Sequence, residues 1–296
     1  MKIFDCFMYF DEEVVLDVRL NTLDQFVDYF VIVESKFTHK GEERDLKFDQ
    51  NKFRKFKDKI IYLVYDQQSS KIEKINTKDN KDEIERKSLW NAIYRENGQR
   101  NYIEKGLTEA KQDDFILISD VDEIPNLKNI EFKKINKKII LFKQDMFYYK
   151  FNLHMPNFAW TGTKGCKKKH LISSQWLRNI KDRKYSFFRF DTFFSKNKYR
   201  SVKRVIDGGW HFTNIKNAEG IEHKLKSYLH HGEFDINPLS VTQINEIIKK
   251  KHAIYNLNVD KTKNKIGHGD KLQKFELSKL PVYIQENQNN FKEWMD

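Results

Sequence analysis

Two carboxylates, Asp120 and Asp122, stand one residue apart where the apolar run FILIS meets DVDEIP. On an extended backbone the side chains at i and i+2 point to one face, so both can serve a single ion. Paired hard oxygen donors with coordination positions left over suit magnesium or manganese bridging a diphosphate. The competing reading is a solvated turn closed by Pro125, because a chain with 43 acidic residues produces Asp-x-Asp pairs readily. Position favours the ion, since ligands of open α/β sheets gather beyond the carboxyl ends of the strands.

The flanking sequence supplies such a sheet. KIFDCFMYF (2–10) predicts a first strand, and Leu16, Leu20, Leu23 and Val27 then recur at helical spacing. YFVIVE (29–34) and DKIIYLVY (58–65) predict a second and a third strand. Residues 66–87 are charged and aperiodic, which reads as a surface loop with at most a short helix. Trp90, Ile93, Tyr94, Ile103 and Leu107 mark a helix over 89–110, and DDFILIS (113–119) forms the fourth strand. Strands alternating with helices imply a parallel α/β sheet. Beyond Asp122, three stretches predict strands with fewer helices between them: KKIILFKQDMFYYKFNL (137–153), KYSFFRF (184–190) and RVIDGGWHF (204–212). Two helical patches follow, at 218–229 and 238–255, and the chain closes on a polar tail.

Composition narrows the classes. A chain of 296 residues can bury a substantial core as one large domain, and a mean hydropathy of -0.77 requires a polar surface. No run approaches the roughly 18–20 apolar residues that cross a bilayer, and MKIFDCFMYFDEE meets acidic residues too early for a secretion signal. The expectation is a cytoplasmic protein without signal peptide or membrane anchor, peripheral to membranes at most. Cys6 and Cys166 lack paired metal spacing; they suit reduced thiols and leave one disulfide open. A net charge of +12 could draw nucleic acid, an anionic membrane or a phosphate-bearing substrate. Lysine is spread along the chain with no zinc finger or RNP-like motif, so compositional drift accounts for the charge and nucleic acid is not the expected partner.

Several separated phrases carry a resemblance. DVDEIP is preceded by ENGQRNYIEKGL and followed by GGWHF, while the first part of the chain holds FDCFMYFDE, RLNTL, VDYFVIVESKFTHKG and DKIIYLV. WTGTKG, KLKSYLHHGEF and LPVYIQENQNNFKEW continue the pattern toward the C-terminus. In this order they resemble glycosyltransferase family 17 over nearly the whole chain. The animal members' N-terminal membrane anchor has no counterpart here, which leaves the acceptor open, and the segment 66–87 is longer and more charged than in the family.

The resemblance implies a single domain of the GT-A nucleotide-sugar type, an α/β fold with a mostly parallel central sheet. Residues 1–125 would form its nucleotide-binding half, and residues 126–296, with their helices, its acceptor-side and metal-completing half. It also implies a UDP-sugar donor, with N-acetylglucosamine the leading candidate, a glycan acceptor, inversion to a β-linkage, and Mn²⁺ or Mg²⁺. On that reading His211 joins Asp120 and Asp122 as the third metal ligand. Asp120, Glu34, Thr38, His39, Arg100 and Lys224 hold the donor; Glu34 ends the second strand as Asp120 ends the fourth, so both would open onto one crevice. Trp160 and Trp210 would stack on sugar rings or fill the core, and His230 is a further substrate-binding candidate. The base is Glu222 or Glu219 ahead of Glu123, Asp145 and Asp207, since a carboxylate is ionised near neutrality. Two other functions stay open. One is a nucleotidyltransferase with the same acidic site, although the Gly-rich phosphate loop is missing after the first strand. The other is a polyanion-binding module without catalysis.

Overall fold

A computed structural model describes the chain except residues 187, 229–233, 235, 236, 258–265 and 268 and the side chain at 193. Its first part is built on four strands, β1 (Ile3–Tyr9), β2 (Tyr29–Ser35), β3 (Ile60–Tyr65) and β4 (Phe115–Asp120), paired in parallel in the order β3-β2-β1-β4. Three of the four are buried almost throughout, which is why they read as unbroken apolar runs. The period-2 pleat sorts their side chains into two cores. Phe7, Phe30, Ile32 and Leu117 face one way and Phe4, Cys6, Val31, Val33 and Ile118 the other.

Helix α1 (Glu13–Leu23) covers the first core with Val15, Leu16, Leu20 and Leu23. Helix α2 (Lys81–Tyr102) lies toward the second, with the 3₁₀ turn Ile103–Leu107 completing it. This helix starts eight residues before the expected Leu89, because a capping box sits inside the charged run. The Asn80 side chain accepts from the Glu83 amide at 2.9 Å, and the Glu83 carboxylate accepts from the Asn80 amide at 3.0 Å.

The second part extends the same sheet to ten strands. β6 (Ile139–Tyr148) and β7 (Leu153–Lys167) form a long antiparallel hairpin, and β7 pairs antiparallel with β4. β7 escapes sequence reading because Gly162, Lys164, Gly165 and Lys167 interrupt its apolar pattern. The expected strand over 204–212 divides into β8 (Val202–Val205) and β9 (Gly209–Thr213), both parallel to β6. Where the two meet, Asp207 (φ 53°) and Gly209 (φ 126°) kink the chain in left-handed conformations without changing its direction along β6. β9 then pairs with the short β5 (Glu123–Pro125), setting Glu123 opposite His211. That ladder joins the end of β4 to the second half of the molecule. β10 (Gln273–Lys274) adds a short edge beside β7.

Among the described residues of 184–190 the expected strand does not form, and the chain leads into a single helical turn, α4 (Asp191–Phe194). Before it lies α3 (Ser174–Asn179), and after β9 come α5 (Ala218–Ser227) and α6 (Val241–Lys249). The C-terminal segment is packed rather than a loose polar tail. Leu280, Ile284 of α7 (Val282–Glu286) and Phe291 are buried in the core that α1 covers. Cys6 and Cys166 are buried free thiols. Among the described residues no helix is long and apolar enough to cross a membrane.

Candidate active site

At the carboxyl ends of β1, β2 and β4 lies a cavity of about 350 Å³. The loop 120–123 forms one wall and α5 another. An arginine from α1 sets the loop's course. Arg19 is fully buried and bonded to both oxygens of the equally buried Asp5, at 2.8 and 2.6 Å. It donates further to Ser119 Oγ at 2.5 Å and to the carbonyls of Asp120, Val121 and Glu123, each at 3.0 Å. Breaking such a buried pair by removing one partner costs about 3–5 kcal/mol, so this cradle keeps the loop in one conformation. Sequence reading missed Arg19, although a signal existed: a charged residue at i+3 within the stripe Leu16, Leu20, Leu23.

Behind the loop a second cationic clamp engages Asp120. Arg178 of α3 donates to Asp120 Oδ2 at 2.7 Å, and Arg100 of α2 donates to Oδ1 at 3.1 Å. Arg178 also holds both oxygens of Glu123, each at 2.7 Å, and the carbonyl of Gly162 at 2.9 Å. Burial would raise the Asp120 carboxyl, but the two guanidiniums keep it well below the usual carboxylate range. Glu123 accepts in addition from the Trp160 indole at 2.6 Å and from the Asp120 amide at 3.0 Å. All its lone pairs are engaged, which removes it from consideration as a base. Arg178 left no sequence signal, being one arginine among 55 basic residues.

Asp122 lines the same cavity as Asp120 but with different partners. Its carboxylate lines the cavity with His211 Nε2 and Lys224 Nζ each 3.6 Å away. Burial pushes its pKa up, but Lys224 and His211 overcome that and bring it to about 2. In return, against the effect of burial, Asp122 raises His211 above an ordinary imidazole, while Asp122 and Glu12 raise Lys224 above an ordinary ammonium. The β5–β9 ladder delivers His211 to this place. Its sharp entry needs Gly209, where a Cβ would sit 2.1 Å from the Ile124 carbonyl. The glycines therefore admit backbone close to backbone, not to a ligand as expected.

The other expected residues divide. His39, Arg100, Trp160 and Lys224 reach the cavity wall. His39 Nδ1, Arg100 Nε and His211 Nδ1 are buried there without a hydrogen-bond partner, which leaves polar atoms for a ligand to meet. Burial lowers the His39 pKa, so its ring is a neutral donor or acceptor near pH 7. Glu34 is fully buried and spends its carboxylate on the loop after β2. It accepts from Arg44, the amides of Lys47 and Phe48, and the Tyr62 hydroxyl, at 2.6–3.0 Å. The Thr38 hydroxyl accepts from the amides of Gly41 and Glu42 in the same loop. Neither lines the cavity. Trp210 packs in the core with its indole on the Lys279 carbonyl at 2.9 Å.

Helical phase decides the rest. On α5, Lys224 and Ser227 point into the cavity, whereas Glu219 is exposed and Glu222 pairs with Lys226 at 3.0 Å; neither glutamate lines it. Asp145 sits 3.6 Å from His154, and Asp207 is exposed in its turn. His230 lies outside the described residues. Glu12, which sequence reading did not single out, does line the cavity, 3.5 Å from Lys224.

A divalent ion was expected on Asp120, Asp122 and His211. Among the described residues no group of three or more His, Cys, Asp or Glu side chains could hold a metal, and both Asp120 oxygens are committed to arginine. Asp122 and His211 remain. Their 3.6 Å separation is too long for a hydrogen bond, and adjacent ligands of one ion, each about 2.0–2.2 Å from it, lie about 3 Å apart. A carboxylate and an imidazole fit an ion whose remaining positions are filled by substrate phosphate, as magnesium sites commonly are.

Comparison with known proteins places the chain in a family. The sequence is 26% identical over 240 residues to the human β-1,4-mannosyl-glycoprotein 4-β-N-acetylglucosaminyltransferase, and the rat and mouse proteins match equally. The aligned part is 72% of this chain and 40% of each relative, so the chain spans well under half of their length. Solved structures match weakly. One assigned as a glucose-1-phosphate thymidylyltransferase from Bacillus anthracis is 11% identical, with TM-score 0.34, over 71% of this chain and 88% of that one. HddC from Yersinia pseudotuberculosis is 11% identical, with TM-score 0.31, over 70% and 90%. Similarity at that level carries no argument about function. The sequence does match the glycosyltransferase family 17 pattern along residues 1–295, and the chain belongs to that family.

Proposed function

We propose that the protein transfers a sugar, N-acetylglucosamine in the leading case, from a UDP-sugar to a glycan hydroxyl. The transfer inverts the anomeric centre and yields a β-linkage. The observation that carries this reading is Asp122, an ionised carboxylate on the cavity wall flanked at 3.6 Å by one permanent cation and one imidazole. In such a displacement the bond from the anomeric carbon to the diphosphate oxygen breaks as the acceptor oxygen bonds to that carbon. Negative charge gathers on the leaving diphosphate, and the acceptor's proton must go to a base. Lys224 supplies a fixed positive charge on the diphosphate side. Asp122 and His211 would hold manganese or magnesium, which when bound would offset the same charge.

With Glu219 and Glu222 outside the cavity, Glu12 is the carboxylate we assign to the proton. Its Oε2 accepts the amides of Phe10 and Asp11 at 3.2 and 3.1 Å, while Oε1 has Lys224 3.5 Å away and faces the cavity. The test is UDP release from a panel of UDP-sugars with a set of glycan acceptors and manganese. Release with UDP-N-acetylglucosamine, slowed about 10²–10⁴-fold in kcat by Glu12→Gln with donor affinity kept, is the expected result. No release from any UDP-sugar overturns the donor class, and an unaffected Glu12→Gln overturns the base.

A further inference from the structure

The segment between α3 and β8 arranges its side chains against the hydrophobic rule. Phe190 and Phe194 are one helical turn apart across α4, hence on one face, and they are 68% and 91% exposed. Phe188, two residues earlier, is 80% exposed. Thr192, within the same turn, is buried at 7%, with its hydroxyl bonded to the Arg189 carbonyl at 2.7 Å. A turn that buries its threonine and presents Phe190 and Phe194 gives up the energy of covering them, unless something outside the chain covers them.

The turn is held in place. Asp191 accepts from Arg189 Nε at 2.7 Å and from Lys198 Nζ at 2.6 Å. Trp176 of α3 donates its indole N–H to the Lys196 carbonyl at 2.6 Å and packs edge-on against Tyr199. The same short helix carries Arg178 to Asp120, so the aromatic turn and the clamp behind the cavity share one support.

Charge narrows the partner. Residues 181–204 contain nine Lys and Arg against two Asp, a net +7. A second copy of so basic a segment would be repelled, and an apolar protein groove would leave the cations without counter-charges. Single-stranded nucleic acid binds in a groove where bases stack, whereas these rings stand on a turn with most of their surface in water. An anionic bilayer matches both features, taking the phenylalanines at the boundary of headgroups and acyl chains and the cations at the headgroup phosphates.

We propose that the turn bearing Phe188, Phe190 and Phe194, with its flanking lysines and arginines, docks the protein on membrane surfaces rich in anionic lipid. The docking claim stands apart from the sugar-transfer reading. If both hold, the acceptor is presented at that surface.

The test is co-sedimentation of the full chain with vesicles of phosphatidylcholine alone and of phosphatidylcholine mixed with phosphatidylglycerol, at low and high salt. Binding to the mixed vesicles that weakens with salt is expected, with little binding to the neutral ones. The double variant Phe190→Ser, Phe194→Ser should bind at least about tenfold more weakly. A second variant, Lys181→Ser with Arg183→Ser and Lys184→Ser, should lose about fivefold per charge and show a flatter salt dependence. Both variants should keep the wild-type thermal midpoint. The proposal is overturned by equal binding to neutral vesicles, by no binding to either, or by binding that both variants retain. Displacement from mixed vesicles by single-stranded oligonucleotide at lower concentration than by lipid would assign the surface to nucleic acid instead.

Discussion

Asp120 and Asp122 share one loop and one cavity wall, yet their neighbours treat them differently. Two guanidiniums hold Asp120 at 2.7 and 3.1 Å, and Arg178 ties Glu123 into the same network. The Asp122 carboxylate instead has His211 and Lys224 at 3.6 Å. A carboxylate that already accepts charge-assisted bonds through both oxygens has spent its capacity on the fold. One whose partners stand off by more than a hydrogen bond keeps that capacity for a ligand. Spacing in the sequence made the two residues look equivalent, and only the surrounding cations separate them.

The difference can be broken from the Asp120 partners with the largest effect. Arg178→Met leaves Glu123, which is 1% exposed, without its cation and removes one of the two from Asp120. Urea unfolding should show a loss of about 3–5 kcal/mol. A loss below about 1 kcal/mol would mean that the clamp is not structural. From the cavity side, Lys224→Met should lower donor turnover roughly tenfold to a hundredfold while the unfolding midpoint stays close to wild type. An equal fall in stability would place Lys224 on the structural side as well.

A smaller effect belongs to Asp182, another carboxylate engaged on every side. Burial raises its pKa, but Lys143, Arg204 and Thr161 overcome this and bring it to about 2. A depressed carboxyl stabilises the fold above its unfolded pKa of about 3.9, and that contribution is lost as pH falls through 2. The group is 16% exposed, so about 2 kcal/mol remains after allowing for solvent. Wild-type stability should therefore drop between about pH 4 and pH 2 by that much more than the stability of Asp182→Asn. Parallel curves would show that the pair cluster contributes nothing in solution.

Legibility followed burial. Three of the four parallel strands were plain because burial on both faces makes each an apolar run, β3 kept an apolar run although half-buried, and the acidic end of β4 stood out. His211, Lys224 and Arg100 could be placed near the site only through the family phrases that contain them. β7 was obscured by its glycines and lysines, and the segment 184–190 read as a strand because it is rich in aromatic residues. Phe188 and Phe190 of that segment instead face water. The base could not be chosen because helical phase on α5, which turns Glu219 and Glu222 aside and Lys224 inward, depends on packing that a single sequence does not record.

The most direct test compares Asp120→Asn and Asp122→Asn side by side for UDP release from the donor and for urea unfolding. The account requires Asp122→Asn to unfold within about 1 kcal/mol of wild type while its turnover falls by about 10²–10³. Asp120→Asn should lose stability first. Wild-type turnover in Asp122→Asn, or a loss of activity in both variants explained wholly by unfolding, would contradict it.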